Sequence, residues 1–457
     1  MLTETIAAIS TGGTSSGINI IRISGKNAEN IIDKIYTNKD KLDHQKIIYG
    51  KIVNPSTKEI VDEVLVSYFK EPNSFTGEDV CEINCHGGRK VTLDILNLVV
   101  QNGARLAEPG EFSKRAFLNG KMDLSKAEAI IDVINAKTSA QAKIATNQLQ
   151  GGLYQKVEDI RDKLVTLMAE IEVSIDYPEY DYEEISNEKI IERRNKVESE
   201  IASLIKTYDD GKYIKDGINL AIVGNTNVGK SSLLNTLLKE EKAIVTDIEG
   251  TTRDVIEETL VIGNLVLNVS DTAGIRETDD IVEAIGVTKS LKAIEETDIV
   301  IYLIDITRGI EAKDIELLNK IKDLNKPYII GLNKIDISRE KLNEIIQQLK
   351  SYNNVLPIST ASGEGITELK ETIENMFNIK DFDSEQNRII VNERHKHLLQ
   401  LAKESLIKAR EISNMGESLD IAAIDIKQAT SLLGEITGKD ASIDVVNRIF
   451  EKFCLGK

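Results

Sequence analysis

Residues Gly224 to Ser231 read GNTNVGKS; the apolar run INLAIVG leads into them and SSLLNTLL follows. The spacing GxxxxGK[ST] is that of a phosphate-binding loop, and it limits the possible folds more than any other feature of the chain. Backbone N–H groups can converge on phosphate oxygens when the loop joins the end of a buried strand to the first turn of a helix, whose positive end adds to the field. The flanking runs supply that context, which a plain glycine-rich turn lacks. Asn227, Val228, Gly229, Lys230, Ser231 and Ser232 are therefore candidate nucleotide contacts. Lys230 is placed to reach β and γ oxygens, and the Ser231 hydroxyl to sit on Mg²⁺.

Further pieces follow along the chain. DTAG ends an apolar run, putting Asp271 near the metal, with Thr272 and Ala273 leading to a Gly274 N–H available to a γ-phosphate. NKID contributes Asn333, Lys334 and Asp336. The Asp336 carboxylate can accept from the N1–H and 2-amino group of guanine; adenine lacks that amino group and would leave the carboxylate unpaired. Ser359, in ISTASGEG, backs up the base contact, and EGTTRD offers Thr251 and Thr252 to close on Mg²⁺ when a γ-phosphate is present. Four motifs in register point to GTP. After DTAG, where Ras-like enzymes carry a water-orienting glutamine, stands Ile275. Hydrolysis then requires another group; Glu277 and Glu283 are candidate carboxylates and Arg276 a candidate charge, and residue chemistry does not choose among them.

The rest of the chain sets limits. A length of 457 residues allows two to four domains. With 41% hydrophobic and 29% charged residues the composition is that of an ordinary soluble protein, and no apolar run is long enough to span a bilayer. MLTETIAAISTGG lacks a basic leader and a long apolar core, so no signal peptide is expected. A net charge of −18 argues against unaided coating of nucleic acid. Three cysteines fit a reducing compartment, the cytoplasm. Cys81, Cys85 and nearby His86 lack the second ligand pair of a metal site. Cys454 stands in the terminal FCLGK, where Gly456 and Lys457 argue against prenylation.

Short β-rich runs separated by turns make residues 1–120 an α/β domain. From Lys121 apolar positions fall at helical spacing, with Ser125 and Glu128 spaced as a capping box, so 121–214 is a helical domain or half of one. Apolar runs alternate with helical stretches over 215–379, the signature of a parallel sheet with crossover helices. Helix returns over 380–457. The simplest architecture inserts the second α/β domain into a helical domain formed by 121–214 packed on 380–457.

Beyond these motifs the chain resembles the MnmE (TrmE) family of tRNA modification GTPases over nearly its whole length. The resemblance rests on NSFTGEDVCEINCHGG, AEPGEFSKRAFLNGKMDLSKAEAI, EIEVSIDYPEYD and the terminal CLGK. It implies an N-terminal folate-binding and dimerisation domain, a Ras-like GTPase domain inserted in a helical domain, and a homodimer. It implies K⁺ held by Asn227, Thr246, Ile248 and Thr251, with Thr252 joining Ser231 on Mg²⁺. Nucleotide contacts extend over Thr246, Asp247, Ile248, Glu249, Gly250, Thr251 and Thr252, and the water-orienting carboxylate falls on Glu283. A 5-formyltetrahydrofolate, the one-carbon source, would meet Arg22, Glu82, Lys121 and Lys457. The tail would fold back toward it, giving Cys454 a catalytic part. The partner implied is MnmG, an FAD protein, and the product an aminomethyl or carboxymethylaminomethyl group on C5 of the wobble uridine of certain tRNAs. A departure is Thr360, where the family usually has alanine; it bears on nucleotide affinity only. The alternatives are a ribosome-assembly GTPase switch, which predicts a basic RNA-binding domain, and a membrane-associated switch, which predicts a lipid anchor or basic amphipathic helix.

Overall fold

The computed structural model describes residues 4–12, 16–38, 42–176, 187–240, 258–269, 294–295, 297–377, 392–414 and 419–457. The N-terminal unit contains β1 (Ile6–Ile9), β2 (Ile18–Ser24), α1 (Ala28–Ile35), β3 (Ile47–Val53), β4 (Ile60–Phe69), β5 (Val80–His86), α2 (Arg89–Gln101) and β6 (Arg105–Leu106). Among the described residues its sheet runs β3-β4-β5-β2-β1-β6, antiparallel except for the β1–β6 pair. The two-residue period of a strand separates its faces. Val64, Val66 and Tyr68 of β4, with Cys81, Ile83 and Cys85 of β5, are buried in one core with Ile31, Ile32 and Ile35 of α1 and Ile95 and Val99 of α2. Register puts Arg22, Glu82, Leu65 and Tyr49 on the opposite face. The two cysteines of CxxxC thus face the core, Cys85 Sγ donating to the Asn19 carbonyl at 3.4 Å, while His86 faces away and meets Asp62 at 2.7 Å.

Then come α3 (Glu111–Leu118), α4 (Leu124–Asn135), α5 (Ser139–Leu149), α6 (Gly152–Asp176) and α7 (Asn187–Lys215). The cap of α4 is not the expected Ser125–Glu128 box. Asp123 is the N-cap, accepting from Lys126 N–H at 3.0 Å. Ser125 lies inside the helix and donates to Asp123, while Glu128 is drawn away by Arg394 and His395. A buried ion pair outcompetes a local cap.

The second sheet comprises β7 (Ile218–Gly224), followed by α8 (Lys230–Glu240), then β8 (Glu258–Ile262), β9 (Leu265–Val269), β10 (Ile299–Asp305), α9 (Ala312–Asp323), β11 (Tyr328–Asn333), α10 (Leu342–Gln348), β12 (Val355–Pro357) and α11 (Ile366–Met376). Among the described residues the order is β12-β11-β10-β7-β9-β8. Pairing is parallel except at the edge, where β8 returns on β9 antiparallel through Gly263 and Asn264, a tight connection that admits no crossover helix. All of β10 is buried, as a central strand covered on both faces must be.

The chain closes with α12 (Glu393–Asn414), α13 (Leu419–Thr437) and α14 (Ile443–Phe450). Leu153, Val157, Ile160, Leu164 and Ile171 of α6 and Val197, Ile201 and Leu204 of α7 share one apolar core with Leu399, Ala402, Leu406, Ile426, Leu433 and Ile436 of α12 and α13. The helical domain is therefore built from both sides of the inserted sheet domain. Phe450 and Phe453 pack on Leu124 and Ala127, seating the C-terminus against α4.

Candidate guanine-nucleotide site

The phosphate loop leaves the sheet at Gly224, after the fully buried Leu220 and Ala221. Asn227 takes φ +61° and Gly229 φ +103°. At Gly229 a Cβ would stand 2.3 Å from Asn333 Nδ2, so glycine is required there on both counts. Val228 is buried beneath the loop, and Ser231 and Ser232 are exposed at the first turn of α8. Lys230 Nζ donates to the carbonyls of Gly224 and Asn225, both at 2.8 Å. That holds the ammonium across the loop, where burial pushes its pKa below the ordinary lysine value.

The NKID residues divide their work. Asn333, fully buried, donates from Nδ2 to the Val228 carbonyl at 2.7 Å and to Thr360 Oγ1 at 3.2 Å, and its Oδ1 accepts from Thr360 N–H at 3.0 Å. Lys334 donates to the Asn227 carbonyl at 3.0 Å and to Asp305 at 2.6 Å. Asp336 is exposed, and its Oδ1 accepts from the Ser359 hydroxyl at 2.6 Å. Ser359, fully buried, accepts in turn from Ser362 N–H at 3.1 Å. One carboxylate oxygen is thus oriented by a fixed hydroxyl, and the NKID segment is tied to the phosphate loop through Asn333.

Two residues that the sequence did not single out, and one read only as a departure, belong to this arrangement. Asp305 ends β10; burial would raise its pKa, but Lys334 and the Thr307 hydroxyl and N–H outweigh burial and hold the carboxyl below the usual range. Asp314, at the start of α9, is nearly buried and accepts from Asn225 Nδ2. Thr360, read as a minor departure, supplies both an acceptor and a donor to Asn333. For Asp305 an acidic residue closing an apolar strand was the available signal; for Asp314 and Thr360 none told of this role, since Asn225 and Asn333, which they bond here, lie 89 and 27 residues away.

Thr246, Asp247, Ile248, Glu249, Gly250, Thr251, Thr252, Asp271, Thr272, Ala273, Gly274 and Glu283 lie outside the described residues. Of the expected folate contacts, Arg22 and Glu82 are register partners across β2–β5, with Nε donating to Oε1 at 2.8 Å. The Arg22 guanidinium lies 5.3 Å from the Phe75 ring centre and 5.7 Å from that of Phe112. Lys121 Nζ donates to the Pro72 carbonyl at 2.8 Å, reaching the loop that carries Phe75. At the tail, the Gly456 carbonyl accepts from the Ser10 hydroxyl at 3.0 Å, and a Cβ at Gly456 would stand 2.1 Å from the Ile9 carbonyl. Lys457 N–H donates to the Cys454 carbonyl at 3.3 Å, and Cys454 is exposed. The tail rests on the end of β1, whose Ala8 is the register partner of Arg22.

Two family profiles match the chain: MnmE helical domain over residues 124–454, and GTP-binding protein TrmE N-terminus over residues 5–121. Among relatives, a tRNA modification GTPase MnmE of Acetivibrio thermocellus is 48% identical over 457 residues, covering 99% of each chain. Those of Desulforamulus reducens and Thermoanaerobacter pseudethanolicus are 46% and 44% identical, covering all of both chains.

Proposed function

The chain belongs to the MnmE family of tRNA modification GTPases, and from that premise we propose that it is a K⁺-activated GTPase. With an MnmG partner it would add an aminomethyl or carboxymethylaminomethyl group to C5 of the wobble uridine of certain tRNAs. The observation that carries the nucleotide half of this reading is the linked set Asp336–Ser359 and Asn333–Val228, which joins a guanine-selective carboxylate to a phosphate loop in one hydrogen-bonded unit. Among the described residues no helix is long and apolar enough to cross a membrane. A tRNA substrate and a chain with only three cysteines favour the cytoplasm in this reading.

In this reading residues 1–120 bind the one-carbon tetrahydrofolate and dimerise, 215–379 hydrolyse GTP, and 121–214 with 380–457 form the helical frame. Mg²⁺ would be held by Ser231, exposed at the first turn of α8, and by Thr252. K⁺ would be held by Asn227 with Thr246, Ile248 and Thr251. Oxygen donors suit both ions, and Asn227 fits because its carbonyl is already engaged by Lys334, leaving the exposed side-chain amide for the cation. The cation supplies positive charge that other GTPases take from an arginine finger. Thr246, Asp247, Glu249, Gly250 and Asp271 to Gly274 complete the nucleotide contacts, and Glu283 orients the water.

The folate reading is supported by a half-buried Arg22–Glu82 pair flanked by two aromatic rings, with the Cys454 tail on the adjoining strand. A carboxylate suits the N–H groups of a pterin, and Lys121 and Lys457 suit a glutamate tail. Cys454 would act at the one-carbon centre as a thiolate.

The test is GTP turnover in KCl against NaCl at equal ionic strength, with Asn227→Ala alongside. Fast turnover in K⁺ alone, lost in the variant, is the expected result. Equal slow rates in both salts would remove the K⁺ assignment.

A further inference from the structure

Asp314 is 3% exposed and stands in the first turn of α9. A helix-capping role accounts for its Oδ2, which accepts from Glu311 N–H at 2.8 Å. It does not account for Oδ1. That oxygen accepts from the Tyr302 hydroxyl at 2.7 Å and from Asn225 Nδ2 at 3.1 Å. Asn225 is the phosphate-loop residue whose own carbonyl receives Lys230 Nζ. A buried carboxylate outside every nucleotide motif is therefore one residue removed from the ammonium meant for the β and γ oxygens.

We propose that Asp314 is a positioning residue for GTP binding and turnover, acting through Asn225 on the phosphate loop and on Lys230. The proposal rests on the guanine-nucleotide reading of the site. Asp314 grips one end of the stretch Asn225–Asn227, of which Thr226 and Asn227 are exposed; the other end is gripped by Lys334, itself seated on Asp305. Between them Arg308 donates to the Thr226 carbonyl at 3.3 Å. Asp305, Arg308 and Asp314 all lie on the segment from the end of β10 to the start of α9, so one connection supports the outer side of the loop. Asn227, with φ +61°, occupies a region that a non-glycine residue adopts at a cost, and this support offsets it. A loop fixed before nucleotide arrives has less freedom to lose on binding.

The variants are Asn225→Ala, Asp314→Ala and Asp314→Asn in the full chain, read by titration of GDP and a non-hydrolysable GTP analogue, by kcat and KM for GTP, and by thermal midpoint. Measurable GDP binding by the unaltered protein is the premise, and the same titration checks it independently. Asn225→Ala and Asp314→Ala are each expected to weaken nucleotide binding about tenfold, the double variant no more than the weaker single one. Asp314→Asn keeps an oxygen toward Asn225 and Tyr302 but presents a donor to Glu311 N–H; it should lower the thermal midpoint while retaining affinity within about threefold. A merely structural role predicts midpoints that fall in both Asp314 variants with affinity unmoved, and that result overturns the proposal. So do effects of Asn225→Ala and Asp314→Ala that multiply. Should Asp314→Ala not fold, Asn225→Ala carries the test by itself: it touches no helix cap, and unchanged affinity overturns the assignment.

Discussion

At the residue scale, the proposed selectivity for guanine depends on the state of a single exposed carboxylate. Asp336 can only accept when ionised, and the Ser359 hydroxyl occupies Oδ1 without satisfying the whole group. An amide at this position can turn a donor toward the base. Asp336→Asn is therefore expected to lower kcat/KM for GTP about a hundredfold or more and to raise that for xanthosine triphosphate, whose 2-oxo group accepts a hydrogen bond. Steady-state turnover with the two nucleotides measures it, and a variant that keeps its preference for GTP would remove Asp336 from the base contact. The motif residues themselves were legible because their chemistry depends on close spacing in the chain. Their supports were not: Thr360 appears a small substitution until Asn333 is seen to bond it twice.

At the element scale, α4 carries the connections of the inserted domain. Glu128 accepts from Arg394 at 2.9 and 3.0 Å and faces His395 Nε2 at 2.7 Å, where the chain re-enters the helical domain. Asp132, one turn on, meets Lys215 at 2.8 Å, where the chain leaves it. Burial would raise the Glu128 pKa, but the His395 N–H hydrogen bond and the Arg394 guanidinium outweigh it and keep the carboxylate ionised below the usual range. His395 is fully buried, and burial pushes its pKa below the ordinary histidine value despite Glu128. Its neutral ring is satisfied, Nε2–H donating to Glu128 and Nδ1 accepting from Asn392 N–H at 3.4 Å. Because the folded state resists a proton that the unfolded chain accepts near pH 6.5, folding stability falls as pH drops below about 6.5. The slope is at most about 1.4 kcal/mol per pH unit. Urea midpoints between pH 7.5 and 5.5 should show this loss, and His395→Gln should flatten it; an unchanged slope would assign the dependence elsewhere. The helical pattern of α4 could be read from its sequence, but its cap could not, because Glu128 answers to residues 266 positions away.

At the scale of the whole molecule, the N-terminal sheet carries α1 and α2 on one face, and among the described residues much of the other face is open. Ile18, Ile47, Tyr49 and Leu65 are 62%, 67%, 56% and 43% exposed, on the face that also carries Arg22 and Glu82. Open apolar surface of this kind on a sheet marks an interaction site. With the dimer proposed for this family member, light scattering should give twice the chain mass, and Leu65→Asp, which needs no core rearrangement, should shift the mass toward that of one chain. A monomer in the unaltered protein would remove this face as the dimer contact.

The sequence alone pointed to a guanine-nucleotide site and to changes of fold class along the chain, since the spacing of a phosphate loop, an NKID segment and shifts in hydrophobic period are local patterns. It did not determine the antiparallel edge strand β8, the Asp123 cap of α4, or the ties from Asp305, Asp314 and Thr360 to the loop. Nor did it pair Arg22 with Glu82 or set Gly456 on Ile9. Each of those joins groups far apart in the chain, where the choice of partner depends on which strands lie side by side and which charges are buried together. That choice is made only when the chain closes on itself.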